Sequence, residues 1–245
     1  MENNNMIKTF SGDIANHWED KSKYIYKIKG NDNKIISLIN NHIKEKSKIL
    51  EIGFGTGKLI KQIDDLFCSI DIVGVEANSD MFHSVKNRDF RNEVSLYNCG
   101  IKEYISIIEE KKFDIIILKQ VLHHLENRKQ IISLLNNILS VEGRIFIMTP
   151  NEKYQKTVIP FETNKDCLGR ISYEMMIDYL EGSQLVMEYY EPTHCEAYFK
   201  NLHNYFTYLY SIGTLQKIYN YESSYEYVLK FIEKFHNLFV VLQVN

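Results

Sequence analysis

Twelve residues, Lys48 to Leu59 (KILEIGFGTGKL), constrain this chain more than any other stretch. Ile49, Leu50 and Ile52 form a short apolar run around Glu51, the pattern of a strand buried on both faces. Gly53, Gly55 and Gly57 follow at every second position, and Leu59, Ile60, Ile63 and Leu66 then recur at helical spacing. A buried strand, a glycine turn and a helix start together set backbone N–H groups and a positive helix end at a strand's carboxyl edge. Glycine suits that turn because it tolerates positive φ and, lacking Cβ, lets a ligand reach the backbone. Alone, such a turn is equally a cofactor loop or an ordinary tight βα connection. The rest of the chain has to decide.

The spacing already excludes two loops. A dinucleotide G-x-G-x-x-G would need glycine at position 58, which is Lys58, and no G-x-x-x-x-G-K-[ST] run occurs. A second buried strand, Ile70–Glu76, ends in an acid about twenty residues beyond the loop, the interval of one βαβ unit. A carboxylate there offers two acceptor oxygens to ribose hydroxyls. Asn78 or Ser79 caps the next helix, with Met81, Phe82 and Val85 inward. A third strand covers Glu93–Asn98 and a fourth Phe113–Leu118, the latter running into Lys119-Gln120-Val121-Leu122-His123-His124-Leu125. A helix carrying Ile131, Leu134, Leu135 and Ile138 leads to Val141–Asn151, an apolar strand ending Thr149-Pro150-Asn151. A helix at Ser172–Glu181, a strand near Leu185–Tyr190 and a last strand at Leu238–Val244 complete the alternation. Strands alternating with helices predict a doubly wound α/β fold.

Three features in this order, Glu51-x-Gly53-x-Gly55-x-Gly57, the acid Glu76, and Phe113–Leu118 running into L-H-H-L, resemble the class I S-adenosylmethionine (SAM)-dependent methyltransferases of the small-molecule type. The resemblance covers about 100 residues from Lys48 onward. It implies a mostly parallel, seven-stranded Rossmann-like sheet and SAM as cofactor, with S-adenosylhomocysteine (SAH) as its product. It further implies that Glu51, Gly53, Phe54, Gly55 and Gly57 hold the amino-acid end, Glu51 anchoring the ammonium, and that Glu76 takes the ribose. Ala77 and Met81 lie beside it. Cys99, Gly100 and Ile101 line the adenine, where either Asn98 or Cys99 reaches the amino group, or Asn98 merely closes a turn. Lys119 and Gln120 complete the implied cofactor set.

Composition narrows the partners. A net charge of −3 excludes nucleic acid as the main partner, because phosphate neutralisation needs a basic face. The early lysines, from Lys21 to Lys48, read as a solvated helical face. Cys68, Cys99, Cys167 and Cys195 form no C-x-x-C pair, so neither a disulfide framework nor a metal site is expected. The polar start MENNNMIKTF lacks a signal-peptide core, and no apolar run approaches the roughly 20 residues that cross a bilayer. The expectation is a cytoplasmic, soluble monomer or homodimer with no membrane partner.

One domain is expected over 1–245: an N-terminal lid segment (1–30), a Rossmann-like core (31–194), a helical cap insertion (195–235) and the last strand (236–245). The first segment holds Phe10 and the only tryptophan, Trp18, read either as a closing aromatic helix or as packing. Within Ala197–Phe235, Leu202, Tyr205, Phe206 and Leu209 mark one amphipathic helix, and the capping pair Ser223 and Glu226 opens another. Twelve of the seventeen tyrosines lie from Tyr173 onward, enough both to fill a core and to line an acceptor pocket. Trp18, His124, Asn151, His194, Tyr198 and Tyr205 are the candidates for that pocket.

Methyl transfer from a sulfonium is an in-line displacement, so the protein supplies mainly orientation and exclusion of water. A base is needed only where the nucleophile arrives protonated, and His124 is the catalytic candidate; the alternative is a histidine that braces its turn. No D/N-P-P-Y/F run and no Pro-Cys nucleophile occurs, which argues against nucleic-acid amino methylation and cytosine C5 chemistry. The reading is methyl transfer to oxygen, nitrogen or carbon of a small molecule, with oxygen first. The competing reading is a SAM- or SAH-binding protein without methyl transfer.

Overall fold

The apolar run around Glu51 forms a parallel strand in which every residue after Lys48 is buried, and the periodic stretches on either side fold around it. The computed structural model describes residues 25–29, 34–108, 112–150, 171–199 and 233–244, with side chains omitted for 25–29, 150, 192–199, 233–241 and 244. In chain order the elements are β1 (Ile25–Lys29), α1 (Lys34–Asn40), β2 (Lys48–Ile52), α2 (Lys58–Leu66), β3 (Asp71–Val75), α3 (Ser79–Val85), β4 (Glu93–Tyr97) and α4 (Ile101–Ile107). They continue with β5 (Phe113–Lys119), a 3₁₀ turn (Leu122–His124), α5 (Arg128–Ile138), β6 (Leu139–Pro150), α6 (Tyr173–Leu180), β7 (Leu185–Phe199) and β8 (Glu233–Val244).

These strands make one sheet, ordered β1-β7-β8-β6-β5-β2-β3-β4. β2 to β6 pair in parallel, as strands joined by helical crossovers must. β8 lies antiparallel between β6 and β7. Side chains alternate between two cores. Leu50, Ile52, Val73, Ile116, Leu118, Ile145 and Ile147 pack under α4, α5 and α6, while Ile49, Ile72, Ile115, Ile117 and Phe146 pack under α1 and α2. Covering both faces is what a parallel sheet of this kind requires.

All seven expected strands are present, and two boundaries are corrected. Ile25–Lys29, assigned to the N-terminal lid segment, is an eighth, edge strand antiparallel to β7, with Ile25 opposite Phe199 and Lys29 opposite Glu196. Cys195–Phe199 and Glu233–Phe235, the ends of the expected helical cap, are strand: β7 and β8 pair from Leu185↔Val244 to Ala197↔Glu233. The sequence of β7 just beyond Tyr190, Glu191–His194, is polar and lacks apolar alternation, so its ladder partner rather than its own pattern keeps it extended. The remainder of the cap, 200–232, and the segment 1–24 with Phe10 and Trp18 lie outside the described residues.

The connection from β2 runs to β3 on one side, whereas that from β5 runs to β6 on the other. The sheet therefore has its topological switch point between β2 and β5, and ligands bind at the carboxyl ends of such strands. Beyond Thr193, which lies opposite Asn237 and so level with Pro150 of β6, the β7–β8 ribbon projects past that same carboxyl edge.

Candidate functional site

The glycine loop opens at the end of β2. Gly53, Gly55 and Gly57 all have positive φ (68°, 54° and 67°), but the space around them differs. A Cβ on Gly53 would stand 2.2 Å from Cγ2 of Val121, and one on Gly57 2.6 Å from Cγ1 of Val85. A Cβ on Gly55 would meet only Met81 Sδ, at 3.7 Å. The outer glycines let the loop press against neighbouring elements, and Gly55, among the described residues, has room for a side chain beside Met81. Phe54 is buried in the α1–α2 core, which pins the loop from below.

Glu51 lies on the α2 face of the sheet and is only 2% exposed. Its Oε2 is buried with no hydrogen-bond partner among the described residues. Burial pushes this carboxyl up to about 8; the charge of Lys119 and the Ile60 N–H oppose that rise, and the neighbouring Glu76 reinforces it.

Glu76, just past β3, ties two loops together. Its Oε2 accepts from the Gly55 N–H and its Oε1 from the Asn78 N–H, both at 2.8 Å. Burial raises its pKa, and the N–H groups of Asn78, Gly55 and Ala77 hold the rise back. Two carboxylate oxygens have about four acceptor positions, so two such bonds leave capacity for a ligand's hydroxyls. Asn78 caps α3 by accepting from the Met81 N–H at 2.9 Å, and Met81 stands over Gly55. The amide of Asn98 donates to the Glu76 carbonyl at 2.8 Å and accepts from Ser79 Oγ at 2.9 Å. Asn98 thus spans the turns after β3 and β4. Cys99 beside it is a half-buried free thiol, its pKa raised by burial and then by Glu103. Gly100 caps α4, and Ile101 is buried beneath it.

The third wall follows β5. Lys119 and Gln120 are half-buried at its carboxyl end, Gln120 in the left-handed region (φ 58°) with its N–H donating to the Met148 carbonyl at 2.7 Å. Val121 then fills the space above Gly53. His123 is buried and His124 half-buried, their ring centroids 3.9 Å apart. Arg128, 9% exposed, braces this turn: Nη2 donates to the His123 carbonyl at 3.0 Å, Nε to the Leu125 carbonyl at 3.2 Å, and Nη1 to the Tyr179 hydroxyl at 3.4 Å. Val85, Val121 and Arg128 carry no motif, and sequence reasoning missed their part in shaping this site.

The structure therefore gathers Glu51, the three glycines, Glu76, Ala77, Met81, Asn98, Cys99, Lys119, Gln120 and His124 along one carboxyl edge. His194 and Tyr198 lie on β7 opposite His236 and Lys27, with only their backbone described. Trp18, Asn151 and Tyr205 lie outside the described residues. Among the described residues there is no metal-ligating cluster, and no helix is long and apolar enough to cross a membrane. An open groove of about 870 Å³ between the start of α5 and the end of α6 includes none of the candidate cofactor residues.

Comparison with known proteins bears on this edge. Residues 50–147 match the family model described as a methyltransferase domain. An uncharacterized methyltransferase of Alkaliphilus oremlandii is 28% identical over 153 residues, 60% of this chain and 62% of that protein. A malonyl-[acyl-carrier protein] O-methyltransferase of Bacillus anthracis is 29% identical over 120 residues, 49% of this chain and 44% of that protein. The chain thus spans less than two thirds of the curated relatives it matches. In fold it is similar to a SAM-dependent methyltransferase from Archaeoglobus fulgidus, with a TM-score of 0.57 and 17% identity over 94% of this chain and 99% of the other.

Proposed function

This chain belongs to the class I SAM-dependent methyltransferases, and from that premise we propose that it transfers the methyl group of SAM to a small-molecule acceptor in the cytoplasm. The observation that carries the reading is the junction of Gly55 and Glu76. A buried carboxylate with spare acceptor positions is hydrogen-bonded at 2.8 Å to the one loop glycine that, among the described residues, has no close neighbour on its Cβ side. That arrangement fits a nucleoside ribose lying against a bare backbone.

In this reading Glu76 accepts from the ribose hydroxyls, and the Glu51 oxygen that has no partner among the described residues accepts from the cofactor's ammonium. Cys99, Gly100 and Ile101 edge the adenine, while Ala77, Met81 and Gln120 shape the walls. When bound, SAM supplies a methyl group already activated by its sulfonium. The chain's own task is to hold acceptor and cofactor in line, exclude water and, for a protonated nucleophile, take up a proton at the His124 imidazole. The Arg128 brace on the His123 carbonyl fixes the turn that carries His124.

The acceptor lies beyond the carboxyl edge, under a lid. Phe199 and Glu233, from which segment 200–232 departs, stand on the ribbon that projects past that edge, and β1, which follows the Phe10–Trp18 segment, pairs with the same ribbon. These attachments support a single domain whose lid carries Trp18, Tyr198 and Tyr205, with Asn151 and His194 as the core's contribution to the acceptor pocket. Oxygen is the favoured acceptor atom, in keeping with the O-methyltransferase named among the relatives.

Calorimetric titration with SAM, SAH and NAD tests the cofactor. SAM and SAH binding without NAD binding is the expected result. Methyl-labelled SAM supplied with a panel of hydroxylated, carboxylated and amino acceptors then tests transfer. His124→Asn should slow it about 10²-fold or more if the imidazole is the base. Binding without transfer to any acceptor class would make the protein a SAM binder rather than an enzyme.

A further inference from the structure

The β7–β8 ladder sets two histidines, distant in the chain, opposite each other. His194 of β7 pairs in register with His236 of β8, one step beyond Thr193 and Asn237 and so just past the level of Pro150 at the end of β6. His236 is six residues from Leu242, an even spacing that returns it to the sheet face of the core under α4, α5 and α6. His194 shares that face as its ladder partner. Among the described residues no group of three or more ligating side chains occurs; this pair follows from backbone register alone.

Residues directly opposite in an antiparallel pair have Cβ atoms about 4.5–5.5 Å apart. Imidazole nitrogens bind zinc at about 2.0–2.1 Å, so two histidines at that separation can share one ion. Without an ion the pair contributes little to the ladder, and when protonated its two charges repel across the strands. The next row on the same face differs. Glu196 lies opposite Lys234 on β8 and Lys29 on β1. That cation–anion–cation order is already matched across three strands, which leaves Glu196 out of the ligand count. Two imidazoles without a carboxylate select a nitrogen-seeking dication over magnesium or calcium, which take oxygen ligands.

We propose that His194 and His236 bind a divalent transition ion, zinc first, across the two strands from which segment 200–232 departs. A cross-link between residues far apart in the chain closes a long loop, the case in which chain entropy gives most. The ion staples the ribbon where Glu191–His194 has no apolar pattern of its own to hold it. The site stands whether or not the cleft at Gly55 and Glu76 takes SAM.

The test uses untagged protein freed of metal by a chelator and titrated with zinc by calorimetry. The wild type should bind zinc, and its melting temperature should rise with zinc concentration. His194→Asn and His236→Asn should each weaken binding by about 100-fold or more, beyond the roughly 10- to 100-fold that losing a ligand's outer partner costs. His194→Cys offers a thiolate in place of the imidazole and should retain zinc, which separates loss of a ligand from loss of fold. SAH titrated into the same metal-free samples reports separately on the cofactor site. The proposal is overturned if the wild type takes up no zinc, or if either Asn variant binds it as the wild type does. It is also overturned if His124→Asn is the variant that loses zinc, which would place the ion at the His123–His124 turn.

Discussion

The three loop glycines look equivalent in the sequence, and the structure predicts that they are not. Replacing Gly53 by Ala adds a Cβ 2.2 Å from Val121 Cγ2 at a φ of 68°. The left-handed conformation costs an L-residue about 1–2 kcal/mol, and overpacking against a fixed neighbour adds about 1–3 kcal/mol. Loss of stability should therefore fall at about 2–5 kcal/mol. Gly57→Ala, 2.6 Å from Val85 Cγ1, belongs in the same range. Gly55→Ala incurs only the backbone strain, about 1–2 kcal/mol, because its Cβ finds an ordinary contact at 3.7 Å. The new methyl stands where the ligand should approach, so SAH affinity should drop about tenfold or more. Urea denaturation and calorimetric titration of the three variants separate the effects. Val121→Ala in the Gly53→Ala background should recover the clash component, leaving the strain. Equal destabilisation at Gly53 and Gly55, or no recovery with Val121→Ala, would refute the argument.

Three other outcomes follow from the same contacts. Glu76→Gln retains one acceptor oxygen for the loop and should weaken SAH binding by about 1–3 kcal/mol in calorimetry, since the ribose hydroxyls lose a charged acceptor. The Glu51 carboxyl is raised from 4.5 to about 8, so its contribution to stability is complete below about 4.5 and is lost as pH rises through about 8. The melting temperature of Glu51→Gln should accordingly gain on the wild type across that window, and SAH binding at pH 7 should release protons, seen as a binding enthalpy that changes with the buffer. Asp64 in α2 is fully buried. Burial alone would raise its pKa, yet the N–H groups of Arg91 and Asn92, with Lys61 and the Asn92 side chain, hold it at about 2. Its stabilisation is present above about 3.8 and lost as pH falls through about 2, so acid denaturation of Asp64→Asn should begin from a lower plateau and show a shallower pH dependence.

What the sequence disclosed was whatever depends on local pattern. The parallel strands are two-faced apolar runs that need no partner to be recognised, and the helices between them show their buried stripe. Glu76 was legible because a βαβ unit has a fixed length, which placed an acid at the end of β3, and the fold brought it within 2.8 Å of Gly55. The ends of β7 and β8 and the edge strand β1 were not legible. Their extended form depends on ladder partners distant in the chain, and the polar stretch of β7 beyond Tyr190 has no periodicity to announce it. Nor did the sequence show the division of labour among the glycines, which is set by Val85 and Val121 across the loop, or the Arg128 brace, a contact visible only once α5 is placed beside the His123 turn.

The central claim, that the carboxyl edge around Gly55 and Glu76 is a SAM site, is tested most directly by a crystal structure of the protein with SAH. The account predicts ribose hydroxyls within hydrogen-bond distance of Glu76, the nucleoside crossing the Gly55 backbone, and the ammonium of the amino-acid end at Glu51. Density for SAH elsewhere, or a ribose with no contact to Glu76, would contradict it.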